Sequence, residues 1–185
     1  KHVLGVANAT DALEMILKAD GIGPEDEILF CSHTMVATAS AIKFTGAKPI
    51  PVEAGPDHLI DPQSIDHLIT KNTKGIMPTQ LNGRIADMDE IEKIASKYEI
   101  SIYEDSAQAL GAKYDGRSAG SFGEGGCISF YPAKVLGCFG DGGAVITNND
   151  EIYEKVKLYR DHGRNENGEI ISWGYNSRLD NLQAA

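Results

Sequence analysis

The sequence predicts an α/β fold of three layers, in which a mostly parallel central sheet carries helices on both faces. Short apolar runs such as Glu27–Cys31 and Lys48–Val52 have the character of strands, and segments with apolar residues at helical spacing separate them. This alternation is typical of parallel sheets covered on both sides. The 185 residues, 42% of them apolar, are enough for one domain with a sizeable core.

The first third of the chain supplies several helix signals. Asn8 or Thr10 can cap a helix that carries apolar residues at helical spacing on its inner face. A second helix, rich in small residues, is expected over residues 34–44. Asp61 followed by Pro62 combines a cap with a first-turn proline, and we expect a third helix to begin there.

The middle of the chain places a carboxylate at the end of a strand. Residues 75–77 form one predicted strand, and Asp87 with Glu90 three residues later resembles a capping box that opens the next helix. The strand predicted at residues 100–103 leads into Asp105. Because ligands bind at the carboxyl ends of the strands in such sheets, Asp105 is a candidate site residue.

The last third continues the pattern. Residues 114–117 read as a hairpin turn, and two strands are predicted at residues 127–131 and 144–147 with a glycine-rich loop between them. A helix capped by Asn149 or Asp150 follows.

Composition excludes several classes of partner. The net charge of -10, from 27 acidic against 17 basic residues, disfavours nucleic acid. No apolar run approaches a membrane span. Cys31, Cys127 and Cys138 show no paired spacing, which predicts neither a disulfide framework nor a cysteine-based metal site. We therefore expect a cytoplasmic protein that binds no nucleic acid, membrane or metal.

A lysine stands in the most distinctive segment, SFYPAKVLGCFGDGGAV, residues 129–145. Lys134 follows a predicted strand, and we expect its apolar neighbours between Tyr131 and Leu136 to desolvate it partly. Desolvation favours the neutral amine, which is a nucleophile. A lone lysine is more often a solvated surface residue, so this segment alone leaves both interpretations open.

Two other segments carry candidate binding groups. Asp105, in EDSAQALGA, can pair with a pyridine nitrogen and keep it protonated, or it can cap a helical turn at residues 106–110. Thr10, in GVANATDALEM, opens a helix whose first amides can hold a phosphate, or it can belong to an ordinary N-cap. Neither a G-x-G-x-x-G fingerprint nor a P-loop is present, so the other glycines predict turns.

In this order and spacing, the three segments resemble the DegT/DnrJ/EryC1/StrS sugar aminotransferases, a fold-type-I, aspartate-aminotransferase-like family that uses pyridoxal 5'-phosphate (PLP). RDHG at residues 160–163 and GYNSRLDNLQAA at residues 174–185 also resemble the family pattern. The resemblance covers essentially the whole chain. It implies that residues 1–185 are the PLP-binding large domain, as a fragment that lacks the family's N-terminal segment and small C-terminal domain.

The resemblance also implies roles for the residues nearest the chemistry. Lys134 forms the Schiff base with PLP and later moves a proton, while Asp105 pairs with the pyridine nitrogen. Gln108 lies near the ring or its phenolic oxygen.

Other residues would hold the phosphate. The resemblance assigns Ala9, Thr10 and Ser129 to this group of the cofactor. Asn176 resembles the residue that reaches the phosphate of a neighbouring subunit's cofactor, which implies a homodimer with shared active sites.

Two positions depart from the family pattern. Met35 stands where relatives usually stack an aromatic ring on PLP, and it can contact the ring through its sulfur or pack in the core. Gln80-Leu81-Asn82-Gly83 stands where the family often has His-Leu-Tyr-Gly. Amide side chains can hydrogen-bond sugar hydroxyls, which favours a distinct substrate subgroup, although a simple turn is the alternative.

The resulting prediction is an aminotransferase that moves an amino group from an amino acid, expected to be glutamate, to a keto-sugar that is expected to be nucleotide-linked. A PLP sugar dehydratase is one alternative, but such relatives look to carry His in place of the lysine. A regulatory or sensor protein without catalysis is another, against which Lys134 and Asp105 count. A nucleotide-sugar oxidoreductase or epimerase is disfavoured by the missing glycine fingerprint. The sequence does not identify the sugar, the carbon aminated or the pathway.

Overall fold

The computed structural model describes residues 1 to 185, and a seven-stranded sheet forms its centre. In chain order the strands are β1 (His2–Val6), β2 (Glu27–Cys31), β3 (Lys48–Val52), β4 (Thr73–Met77), β5 (Ser101–Asp105), the small hairpin β6 (Lys113–Tyr114) and β7 (Arg117–Ser118), β8 (Gly125–Ser129) and β9 (Gly143–Thr147). Their order across the large sheet is β1-β9-β8-β5-β4-β2-β3. Only β9 runs against the others, so the sheet is mostly parallel, as predicted.

Helices cover both faces of this sheet. They are α1 (Ala9–Ala19), α2 (Val36–Phe44), α3 (Met88–Tyr98), α4 (Asp150–Tyr159) and the short α5 (Asn181–Ala184). One core lies under α1, α2 and α4, and a second lies under α3. Ile76 and Met77, neighbours on β4, belong to different cores because successive side chains of a strand point to opposite faces. The predicted three-layer architecture is confirmed.

Local capping signals place the helix starts. The Asn8 side chain accepts a hydrogen bond of 2.8 Å from the Asp11 amide, so Asn8 is the cap of α1 and Thr10 lies in its first turn. Asp87 accepts a hydrogen bond of 3.2 Å from the Glu90 amide at the start of α3.

The prediction of a helix after Asp61 is wrong. Asp61 does accept a hydrogen bond of 3.0 Å from the Gln63 amide, but only two 3-10 turns follow, Pro62–Ser64 and Asp66–Leu68. The chain becomes extended at Ile69, where β-branched Ile69 and Thr70 disfavour continuation of a helix. A 3-10 turn suffices to bury Ile65 in the core.

Two other boundaries differ from the prediction in ways that shape the site. The strand predicted to reach Tyr131 ends at Ser129, because the chain turns at Pro132, which lacks an amide donor for the ladder. Residues 106–110 form turns rather than a helical turn. No helix of the chain combines the length and the apolar character that a membrane crossing requires.

Candidate active site

A cavity of about 420 Å³ lies at the carboxyl ends of the parallel strands, beside the N-terminus of α1. Among its lining residues are all the predicted site residues except Asn176, namely Ala9, Thr10, Met35, Asp105, Gln108, Ser129 and Lys134. It is also lined by residues that the sequence did not single out, including Thr34, Thr79, Tyr131 and Asp141. Segments far apart in the chain thus converge on one cleft.

Asp105 presents a fixed carboxylate to this cavity. The residue is only 5% exposed, and its Oδ2 accepts a hydrogen bond of 2.5 Å from Thr38 Oγ1. Its Oδ1 accepts one of 3.2 Å from the Ala107 amide, so the turn-capping interpretation also holds at this oxygen. Burial raises the pKa of the Cys127 thiol well above its ordinary value, and this neutral thiol lies 3.6 Å from the same Oδ1.

Lys134 lies on the surface loop that follows β8. Its backbone amide donates a hydrogen bond of 2.8 Å to the Tyr131 carbonyl, and its half-buried side chain faces the cavity without an ion pair. The apolar neighbours that were expected to desolvate Lys134 partly are themselves exposed in this chain. Tyr131, Val135 and Leu136 are 52%, 74% and 59% exposed, because the loop turns outward at the rim of the cleft.

The start of α1 offers a cradle for an anion. Asn8 caps the Asp11 amide, which leaves the Ala9 and Thr10 amides without an acceptor in the chain. Gly143 on β9 permits the close approach, since a Cβ there would lie 2.8 Å from the Ala9 nitrogen. Free amides at the positive end of a helix are suited to a phosphate.

Ser129 completes the cradle at the end of β8. It is 7% exposed and its Oγ accepts a hydrogen bond of 3.2 Å from the Tyr131 amide. Its hydroxyl proton therefore remains available to a ligand in the cavity.

Met35 and Gln108 both line the cavity, and each has one side-chain atom that accepts a hydrogen bond from a backbone amide. Met35 is 62% exposed, and its Sδ accepts a hydrogen bond of 3.3 Å from the Ala37 amide at the start of α2. Gln108 Oε1 accepts one of 3.1 Å from the Asn82 amide. The Asn82 backbone is left-handed, with φ 54°, a conformation that asparagine tolerates.

Gln80 is not a substrate-facing residue, contrary to the prediction. It is fully buried, with Nε2 donating to Glu104 Oε2 at 2.8 Å and Oε1 accepting from the Ala86 amide at 2.8 Å. Both ends of its amide are used inside the protein, so it has no free group for a sugar.

Asn176 is exposed and does not line the cavity of its own chain. Its Oδ1 accepts a hydrogen bond of 3.2 Å from the Arg178 guanidinium. The adjacent Ser177 is fully buried, donates to Asp11 at 2.7 Å and accepts from the Ala7 amide at 3.2 Å. The loop that carries Asn176 is thereby fastened beside the start of α1.

The fold and the cleft together define a class of protein, namely an α/β domain that presents a lysine, a buried carboxylate and an anion cradle to one ligand. The chain belongs to the DegT/DnrJ/EryC1/StrS aminotransferase family, whose model matches residues 1–185. The chain spans about half the length of the curated relatives it matches.

Three comparisons illustrate this membership. An aminotransferase of UDP-2-acetamido-2-deoxy-3-oxo-D-glucuronate from Pseudomonas aeruginosa is 45% identical, over 100% of this chain and 52% of the relative. A pleiotropic regulatory protein from Geobacillus stearothermophilus is 44% identical, over 100% of this chain and 50% of the relative. The crystal structure of DesV from S. venezuelae, in complex with a ketimine intermediate, superposes with a TM-score of 0.96 at 43% identity, over 100% of this chain and 50% of that one.

Proposed function

We propose that the protein containing this chain is a PLP-dependent aminotransferase that transfers an amino group from an amino acid to a nucleotide-linked keto-sugar. The observation that carries the proposal is the placement of the Lys134 amine, the Asp105 carboxylate and the free amides of α1 around one cavity. The family is one of aminotransferases, and the Pseudomonas aeruginosa relative is named for a UDP-linked oxo-sugar.

The cavity suits PLP in size and in chemistry. Its volume of about 420 Å³ is within the usual range for small-molecule sites. An anionic phosphate matches the unpartnered Ala9 and Thr10 amides, and a protonated ring nitrogen matches the buried Asp105 carboxylate. Lys134 provides an amine without a competing ion pair.

Each of these residues would have its own role toward the bound cofactor. When bound, PLP supplies a ring that stores the electrons of a carbanion. Asp105 would hold a proton at the ring nitrogen, and Ser129 would hold the phosphate together with the first amides of α1. Lys134 Nζ would hold the cofactor covalently until the amino group of the substrate displaces it. The freed amine would then accept a proton from the substrate carbon and return it during the reaction.

The remaining parts of the proposal concern the whole protein. Residues 1–185 would be its large domain, and the half that the relatives carry in addition would include the small domain. Asn176 would reach the cofactor phosphate of a second subunit in a homodimer. Glutamate would be the amino donor, and the free state of all three cysteines supports a cytoplasmic setting.

A regulatory role is the second candidate, because the Geobacillus stearothermophilus relative is named a pleiotropic regulatory protein. That function does not require catalysis, whereas this chain keeps both a lysine and an aspartate on the cavity.

The visible spectrum of the purified full-length protein with PLP separates the two candidates. We expect a visible cofactor band that disappears when glutamate is added and returns with a keto-sugar acceptor. A screen of amino acids and nucleotide-linked keto-sugars then identifies the substrates. A band that no amino acid changes would support the regulatory candidate, and no PLP binding would contradict the proposal.

A further inference from the structure

We propose that Thr38 is a positioning residue, which holds the Asp105 carboxylate in the orientation that faces the cofactor's ring nitrogen. This inference rests on the proposed function and adds a residue that neither touches the cavity nor belongs to the predicted site. The carrying observation is a chain of three threonine hydroxyls that ends on Asp105.

The chain of hydroxyls links three parts of the fold. Thr79 Oγ1, after β4, donates to Thr34 Oγ1 at 3.0 Å, and the hydroxyls of Thr34 and Thr38 are 2.7 Å apart. Thr38 Oγ1, in the first turn of α2, donates to Asp105 Oδ2 at 2.5 Å. Thr79, the first member of this series of hydroxyls, also pairs with Asp105, at its end, through a backbone β-bridge.

The direction of the hydrogen bonds follows from the chemistry of Asp105. An ionised carboxylate can only accept, so Thr38 must donate to it. Because a hydroxyl has one proton, the Thr38 oxygen then accepts from Thr34, and the Thr34 oxygen accepts from Thr79. Every donor in the chain points toward Asp105, and such chains polarise their members cooperatively.

The Thr38 hydroxyl hydrogen-bonds to Asp105 rather than to the backbone of its own helix. A threonine inside a helix commonly donates to the carbonyl four residues earlier, but the Thr38 hydroxyl donates to a carboxylate 67 residues away in sequence. Thr38 is fully buried and absent from the cavity lining, whereas Thr34 and Thr79 are part of it. Thr38 therefore acts on a ligand only through Asp105.

Loss of the Thr38 hydroxyl would leave Asp105 Oδ2 without its hydrogen bond. Oδ1 is tied to the Ala107 amide at 3.2 Å, and Thr38 provides the short contact to Oδ2. Thr38→Val keeps the branched shape and removes the hydroxyl, so Asp105 Oδ2 loses its donor and the Thr34 hydroxyl loses its acceptor. With Oδ2 released, the carboxylate can turn away from the ring nitrogen.

The first test uses the full-length enzyme with PLP. We expect Thr38→Val to lower kcat about tenfold with little change in KM, as expected for loss of a hydrogen bond to a charged group. The pH midpoint of the visible cofactor band should also move, because the ring nitrogen loses a well-oriented counter-charge. Thr38→Ser should restore both, and Thr38→Ala replaces Thr38→Val if the valine variant does not fold.

The matched control is Thr45→Val. Thr45 is also buried, at 8% exposure, and its hydroxyl donates to the Ile42 carbonyl at 2.7 Å at the other end of α2. It does not line the cavity. This variant should lose stability without a change in kcat or in the band.

A second test needs no cofactor. In the full-length apoprotein, Thr38→Val and Asp105→Ala form a double-mutant cycle of unfolding, and we expect the unfolding equilibrium constants to deviate about tenfold from additivity. Additive effects, or a Thr38→Val enzyme with wild-type kcat and band, would overturn the positioning role alone. A wild-type protein that binds no PLP would overturn the proposed function itself, and this inference with it.

Discussion

Gln80 donates a hydrogen bond of 2.8 Å to the carboxylate of Glu104, and neither side chain is exposed. Glu104 Oε1 also accepts a hydrogen bond of 2.7 Å from the Phe122 amide. These contacts tie the segment after β4 and the segment before β8 to the end of β5. Because Asp105 is the next residue, the buried pair helps to fix the strand end from which the candidate site is built.

Glu104 should make stability depend on pH. Burial raises the pKa of its carboxyl above the ordinary value of 4.5, so the folded protein keeps a proton that the unfolded chain loses first. The stability that this proton contributes is present below pH 4.5 and is lost as the pH rises through the raised pKa. We expect the unfolding free energy of wild type, relative to Glu104→Gln, to fall over this window.

Urea unfolding of both proteins at several pH values from about 4 to 8 measures this difference. Glu154→Gln, at an exposed position of α4, corrects for the loss of one carboxyl group. A difference between wild type and Glu104→Gln that is constant with pH would contradict the assignment.

Gly143→Ala should weaken the binding of PLP. The added Cβ would lie 2.7 Å from the Asn8 carbonyl carbon and 2.8 Å from the Ala9 nitrogen, so the start of α1 must move. We expect the Kd for PLP to rise about tenfold or more, since the phosphate amides shift with the helix.

Gly23→Ala is the matched control, because its Cβ would meet nothing within 4 Å. Titration of the apoproteins with PLP, followed by fluorescence or absorbance, gives both constants. Equal affinities of the two variants for PLP would show that the start of α1 does not bind the phosphate.

Asp105→Asn should leave the fold intact and lower turnover by about 100-fold or more, because the ring nitrogen loses its counter-charge. The single amide oxygen keeps an acceptor for only one of the two donors, Thr38 and the Ala107 amide. Steady-state kcat with the best donor and acceptor measures the effect. Asp115→Asn in the exposed hairpin turn, where φ is 48°, serves as the control and should match wild type. Near-normal turnover of Asp105→Asn would exclude Asp105 from the mechanism.

The sequence predicted those features that depend on neighbouring residues. Asn8 and Asp87 cap their helices with side chains that reach amides three residues later, which local spacing reveals. The strands and their alternation with helices are equally local. The convergence of Lys134, Asp105 and Thr10 on one cleft follows from strand ends meeting at one edge of a parallel sheet.

Long-range packing decided what the sequence did not predict. The inward orientation of Gln80 depends on a glutamate that lies 24 residues later on a neighbouring strand. Thr38 looked like an ordinary small residue of α2, since its partner Asp105 is remote in sequence. The exposure of Val135 and Leu136 follows from the outward turn of the loop after β8, for which apolar composition gives no signal.

The attachment of the cofactor to Lys134 tests the central claim most directly. The full-length protein is loaded with PLP, reduced with borohydride and digested, and the modified peptide is mapped by mass spectrometry. We expect the pyridoxyl group on Lys134, its loss in Lys134→Ala together with nearly all transamination, and no change in Lys113→Ala, a lysine on the exposed hairpin. A pyridoxyl group on another lysine, or one that survives in Lys134→Ala, would contradict the account.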